Sequence, residues 1–314
     1  MSRGSAKNIK TQGGRTDRIV NMSDRDEYRL RIAKAVDFIE DRLDREVDAE
    51  MVAEHIGFSP YHFHRVFSAV LGESVSGYIR KRRLSEAAEC LRQRDVPLFE
   101  LALRSGFESQ EAFTRAFKKM FGVTPGRYRG LGSSATAVEK RRATMEMLVH
   151  LQGGITMEPS IITRTAPELA VGLAGSFSPG DTELIGQLWE RFVPRMGEVP
   201  DQKGTYSLGV CMGPHPDVEL KPGTSFVYIA AVPVTNNAKV PEGMVSTTIP
   251  AGRYAVFTHR GAIAELPHTI NYIWGTWLPQ CGYERREGPD FELYDERFDA
   301  ATVSGEIDIY LPIV

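Results

Sequence analysis

Cysteine is scarce. Cys90, Cys211 and Cys281 are the only three in 314 residues and are far too widely spaced for a disulfide scaffold. No CxxC pair and no Cys/His cluster occurs, so no zinc site is expected, nor any other metal or cofactor. So low a count suits a reducing cytoplasm, the expected location. Long apolar runs are also missing. No stretch of 18 apolar residues exists, so a membrane span is not expected. The N-terminal stretch MSRGSAKNIKTQGGRTDRIVNMS lacks the apolar segment of a secretory signal and reads as a flexible polar tail over residues 1–24. Neither a Ser/His/Asp order nor metal-ligand spacing supports catalysis, so the chain is not expected to be an enzyme.

Charge of one sign is short in each half. Residues 1–154 hold 27 basic and 21 acidic side chains, a net of +6, whereas residues 155–314 hold 11 and 20, a net of −9. A basic half and an acidic half imply different partners, which the overall net charge of −3 conceals.

What is present is a duplication. Ala53, Gly57, Phe58, Ser59, Phe63, Arg65, Phe67, Gly72 and Tyr78 recur as Ala102, Gly106, Phe107, Ser109, Phe113, Arg115, Phe117, Gly122 and Tyr128, with Glu108 as one inserted residue. Two copies are too few for a solenoid, which needs at least about three. A small unit used twice instead suits two equivalent contacts on a repeating partner such as double-stranded DNA. Each copy reads as helix, turn, helix: Gly57 and Gly106 stop the first helix, and Ser59 and Ser109 cap the second. Phe63, Val66, Phe67 and Val70 form one apolar stripe at i, i+3, i+4 and i+7, and Phe113, Ala116, Phe117 and Met120 form its counterpart. The opposite faces carry Tyr61, His64 and Arg65, then Gln110, Glu111, Thr114 and Arg115, side chains suited to base edges and phosphates. Between the copies a long helix ends at Val96-Pro97, and its Arg80-Lys81-Arg82-Arg83 run could touch phosphates or form a solvated face. A first helix is expected over 28–43.

Residues 131–154 read as a linker, in part helical. Beyond it the pattern changes to strand-like runs, LAVGLAG, YSLGVCM, SFVYIAAVPV, YAVFTHRG, FELYDERF and EIDIYLPIV, interleaved with two helical runs, DTELIGQLWERFVPRM and IAELPHTINYIWGTWLP. Strand, helix, strand, strand, done twice, predicts an α+β domain over 155–314 with duplicated β-α-β-β halves and an antiparallel sheet. Such an arrangement favours a cleft between the halves.

Residues 28–129 resemble the AraC/XylS transcription regulators, most closely in GFESQEAFTRAFKKMFGVTPGRYR. Residues 155–314 resemble the GyrI-like effector-binding domain through IPAGRYAVFTHRGAIAEL and WLPQCGYERREGPDFELYDERF. The first resemblance implies an all-α double helix-turn-helix DNA-binding domain over 25–130, promoter DNA and RNA polymerase as partners, and base or phosphate contacts from Tyr61, His64, Arg65, Gln110, Glu111, Thr114 and Arg115. Members with this domain order carry tryptophan and glutamine where this chain has Tyr61 and His64, and glutamine in place of Glu111, so base preference should differ. The first copy is expected to supply more of the base readout, and the second to tune or anchor it.

The second resemblance implies a small lipophilic effector, cationic among the ligands of such domains, held by Glu292 among aromatic walls, for which Trp277, Trp189, Tyr228 and Tyr294 are the candidates. Each aromatic taken singly is better read as ordinary core packing. In Phe-Glu-Leu-Tyr, Glu292 and Tyr294 share one strand face and Phe291 and Leu293 the other. If the latter pair faces the helices, Glu292 faces the open cleft, with Glu306 as the reserve acid. The leading expectation is thus a DNA-binding transcription regulator that responds to a small molecule. The alternatives are a GyrI-like half acting as a small-molecule hydrolase, with Glu292 as general base, or as a protein-interaction module.

Overall fold

The computed structural model describes residues 24–93, 95–131, 140–144, 157–221, 224–235 and 239–314. Its helical part contains α1 (Asp24–Glu40), α2 (Ala49–Ile56), α3 (Pro60–Leu71), α4 (Val75–Gln93), α5 (Leu98–Arg104), α6 (Gln110–Phe121) and α7 (Pro125–Leu131). The punctuation is the one the sequence specifies. Gly57 and Gly106 take left-handed backbone at φ of 71° and 74°, conformations that cost a residue with a Cβ. Ser59 Oγ accepts from the His62 amide at 3.3 Å, and Ser109 Oγ from the Ala112 amide at 3.1 Å. Phe63, Val66 and Phe67 are fully buried, as are Phe113 and Phe117.

The basic run on α4 has a structural role. Arg82 is buried, its guanidinium held by Glu40 and Glu86 at 2.8 Å and by the Lys140 carbonyl at 2.9 Å. Arg83 donates to the carbonyls of Leu43 and Arg45, and Lys81 pairs with Glu73. Of the four, only Arg80 is left as a solvated side chain without such a partner among the described residues. The expected linker falls largely outside the described residues; Leu131, which ends α7, and 140–144 are its described parts. The 140–144 piece returns to the first helical unit: Lys140 N donates to Ser85 Oγ at 2.9 Å, Ala143 N to Tyr78 Oη at 3.0 Å, and Ala143 is buried.

The second part contains β1 (Ser160–Arg164), β2 (Glu168–Phe177), α8 (Thr182–Phe192), β3 (Ser207–Met212), β4 (Phe226–Val234), β5 (Val245–Ile249), β6 (Gly252–Ala262), α9 (Leu266–Tyr272), β7 (Asp290–Tyr294), β8 (Phe298–Asp299) and β9 (Ser304–Ile313). A π-helical turn, Ile273–Trp277, continues α9. The strands form one antiparallel sheet in the order β1-β6-β9-β7-β3-β4-β2-β5, with β8 beside β9. The halves β2-α8-β3-β4 and β6-α9-β7-β9 meet where β3 pairs with β7, so that seam lies at the centre of a two-fold repeat. The edge strands β1 and β5 were not legible in the sequence. Each is five residues long and borders only one neighbour, so neither needs the apolar alternation of an inner strand.

The apolar cores divide the chain differently from the motifs. Residues of α1, α2 and α3 share one continuous core with α8, α9 and one face of the sheet, through Phe226, Trp274, Leu278 and Ile309 among others. The second helix-turn-helix unit keeps a core of its own, Leu84, Leu91, Leu101, Phe113, Phe117 and Tyr128. The first unit is therefore joined to the α+β domain, while the second is carried at the far end of α4.

Candidate functional sites

The first site lies on the β3–β7 seam. Residues two apart on a strand share a face, and β7 turns Asp290, Glu292 and Tyr294 toward the helices while Phe291 belongs to the opposite face of the sheet. The condition for Glu292 to face an open cleft, that Phe291 and Leu293 turn toward the helices, is not met. Packing decides this, since the helix-facing row is continuous with Cys211 of β3 and Tyr228 of β4. Glu292 is buried, and its Oε2 accepts from Tyr228 Oη at 2.7 Å and Tyr294 Oη at 2.8 Å. Trp189 of α8 donates from Nε1 to Tyr228 Oη at 3.0 Å and packs edge-on to Tyr294 with ring centroids 5.2 Å apart. Burial pushes the Glu292 carboxyl above its ordinary range, although the two tyrosine hydrogen bonds oppose the shift. Burial, and then Glu292 itself, push both tyrosine hydroxyls far up, which keeps them protonated as donors.

Sequence reasoning missed Gly209. It pairs with Ala230 on one side and Glu292 on the other. A Cβ there would overlap the Tyr228 hydroxyl and stand 2.6 Å from Glu292 Oε2. The signal was available as an isolated glycine inside the strand run YSLGVCM, a pattern that marks a close approach.

Four of the candidate residues, Glu292, Tyr228, Tyr294 and Trp189, are thus brought together. Trp277 is not among them: it lies against Phe257, centroids 4.9 Å apart, and stacks on Tyr283. The reserve acid Glu306 pairs with Arg260 and Arg297 instead.

The helical candidates divide by copy. Tyr61 and Arg65 of α3 were expected on a polar outer face, but both turn into the α+β domain. Tyr61 is 6% exposed and donates its hydroxyl to Asp290 Oδ1, with its ring edge-on to Trp274. Arg65 donates from Nη2 to Asp290 Oδ2 at 3.3 Å, and its guanidinium lies over Trp274 at 5.1 Å and Phe226 at 5.8 Å. Arg285 closes the cluster, 4.0 Å from Asp290 Oδ1 and over the Tyr61 ring at 5.2 Å. His64 is half-buried, and burial lowers its ring to about 4. Asp290, Arg285 and Trp274 were not singled out from the sequence, because their importance depends on which surface meets α3.

In the second copy Arg115 and Glu111 are exposed, and Gln110 and Thr114 are half-buried. Hydrogen bonds from its own backbone amide and from Ser109 hold the Glu111 carboxyl below its usual range, so it joins the helix cap. Among the described residues no group of three His, Cys, Asp or Glu side chains could hold a metal, and no helix is long and apolar enough to cross a membrane.

Two helix-turn-helix units followed by an α+β domain with a buried carboxylate at its seam define a helix-turn-helix regulator fitted with a ligand-binding module. Residues 157–314 match the model of the GyrI-like small molecule binding domain, and residues 52–130 match a helix-turn-helix domain model. The chain is 29% identical over 273 residues to the transcriptional regulator Rob of Salmonella typhimurium, covering 87% of this chain and 92% of that one. It is 30% identical over 268 residues to the right origin-binding protein of Escherichia coli K12, covering 84% and 89%. The multiple antibiotic resistance protein MarA of Salmonella typhimurium is 41% identical over 108 residues, 34% of this chain and 85% of that protein. The chain belongs to the family of AraC-type transcriptional regulators that carry a C-terminal GyrI-like domain.

Proposed function

We propose that this regulator reads promoter DNA with α3 and α6 and binds a lipophilic cation against Glu292. The observation that carries the effector reading is Glu292 itself. It is a buried carboxylate whose one oxygen already accepts from two tyrosine hydroxyls inside an aromatic wall. A cation that leaves water needs a carboxylate and aromatic faces to replace its hydration, and both are present. Binding rather than turnover is the reading we favour, because Oε2 of Glu292 is already engaged by the Tyr228 and Tyr294 hydroxyls. Promoter contact falls to Arg115, Gln110 and Thr114 from the second unit, and to His64, Tyr61 and Arg65 from the first, the last two only once they leave Asp290. RNA polymerase contact and a cytoplasmic setting belong to the same reading.

Binding of the protein to duplex DNA from upstream of its own gene, followed by fluorescence anisotropy, tests the first half. The upstream duplex should be preferred over random duplex, with affinity that falls as salt rises. Arg115→Ala should weaken it by about 1–3 kcal/mol. A protein that binds both duplexes equally refutes this half. For the second half, tetraphenylphosphonium should raise the melting temperature of the wild type and not of Glu292→Gln. Equal shifts in both proteins would refute the assignment of Glu292.

A further inference from the structure

The DNA-facing side of α3 is already occupied. Arg65 and Tyr61 both direct their polar atoms to Asp290, whose side chain is 4% exposed. The approach of the two parts is close along the whole helix. A Cβ added to Gly275 in the π-helical turn would lie 3.2 Å from the Ala69 carbonyl oxygen and 3.3 Å from Ala69 Cβ. A guanidinium stacked on Trp274 and bonded to Asp290 cannot also grip a phosphate or a guanine edge. The α6 face is not covered in this way, since Arg115, Lys118 and Lys119 are exposed.

We propose that the GyrI-like domain is a built-in competitor for DNA, with Asp290 accepting from Arg65 as a phosphate would, and that a lipophilic cation at Glu292 releases α3. The second clause rests on the effector reading above. Asp290 and Glu292 lie two residues apart on one face of β7, where Arg65 and Arg285 both pair with Asp290 and the Arg65 charge also acts on Glu292. A third cation entering that dry cluster leaves one guanidinium without a counter-charge. Arg65 belongs to the helical unit, so domain opening relieves the excess and hands its guanidinium to DNA. Linkage is reciprocal, so DNA captured by α3 tightens the cation at Glu292 by the same factor.

Two variants test this in the full chain. In Ala69→Cys/Gly275→Cys the two β-carbons lie within disulfide reach. Once oxidised, the protein should bind its upstream duplex at least tenfold more weakly than when reduced, and reductant should restore binding. Asp290→Asn should speed hydrogen exchange of the residue 60–71 amides severalfold and tighten DNA binding without any cation. Tetraphenylphosphonium should speed the same amides in the wild type and hardly change them in Asp290→Asn. Equal DNA affinity of the oxidised and reduced double-cysteine protein overturns the proposal, as does Asp290→Asn exchange at the wild-type rate. Exchange reads closure without DNA, so it decides even where no duplex preference is found. A cation that binds the wild type through Glu292 yet leaves α3 exchange unchanged overturns the coupling while sparing the effector site.

Discussion

Gly209 and Glu292 face each other across the β3–β7 seam, and the missing side chain at Gly209 is what lets Tyr228 reach the carboxylate from β4. The hydrogen bond therefore depends on a residue that contributes no atom to it. Gly209→Ala should force Tyr228 off Glu292 and destabilise the domain by about 1–3 kcal/mol through overpacking. Chemical unfolding of the variant checks this. Glu292, with one hydroxyl donor removed, should also lose affinity for tetraphenylphosphonium. Wild-type stability in Gly209→Ala would show that the seam relaxes around a methyl group.

His62 makes the junction between the two parts sensitive to acid. Its ring stacks on Phe58 at 4.3 Å and meets Trp274 at 5.8 Å. Burial, and then the charges of Arg285 and Arg31, lower it to about 3 from an ordinary 6.5. Below pH 6.5 the unfolded chain takes up this proton and the folded chain does not. Stability that is fully present above pH 6.5 is therefore lost progressively as pH falls toward 3, by up to about 1.4 kcal/mol per pH unit for one such group. His64, lowered to about 4, adds to the loss. Urea unfolding at pH 7.5 and pH 5 should show the decline, and His62→Phe should make it shallower. A variant with the wild-type slope would refute the assignment.

Arg82 and Arg80 are two residues apart on α4 and should respond very unequally to truncation. Arg82→Ala leaves Glu40 buried without its cation and cuts the hold on the Lys140 carbonyl, at a cost of about 3–5 kcal/mol. Arg80→Ala, on the solvated face, should change stability by less than about 0.5 kcal/mol. Thermal melts of the two variants side by side decide. Similar melting temperatures would mean that the Glu40 carboxylate finds water once Arg82 is gone.

Much of this molecule is legible in its residues. The caps at Ser59 and Ser109, the glycine stops at 57 and 106 and the two phenylalanine stripes encode local geometry, and local geometry needs few partners. Two β-α-β-β halves were readable for the same reason. The roles of the arginines were not. Arg65, Arg82 and Arg115 look alike in a sequence of helical repeats. One lies on Asp290 of another domain, one is buried between two glutamates and one is in solvent.

The sequence by itself determined the two helix-turn-helix units and the strand-rich second half. These follow from periodicity, turn chemistry and the alternation of a strand, all of which act over a few residues. Only the tertiary structure decided which copy is covered. It turned Glu292 toward the helices, brought Trp189 to it and left Trp277 elsewhere, and it set Asp290 against Tyr61 and Arg65 from 225 positions or more along the chain. Contacts at that separation are chosen by the complementarity of whole surfaces, which no local pattern records.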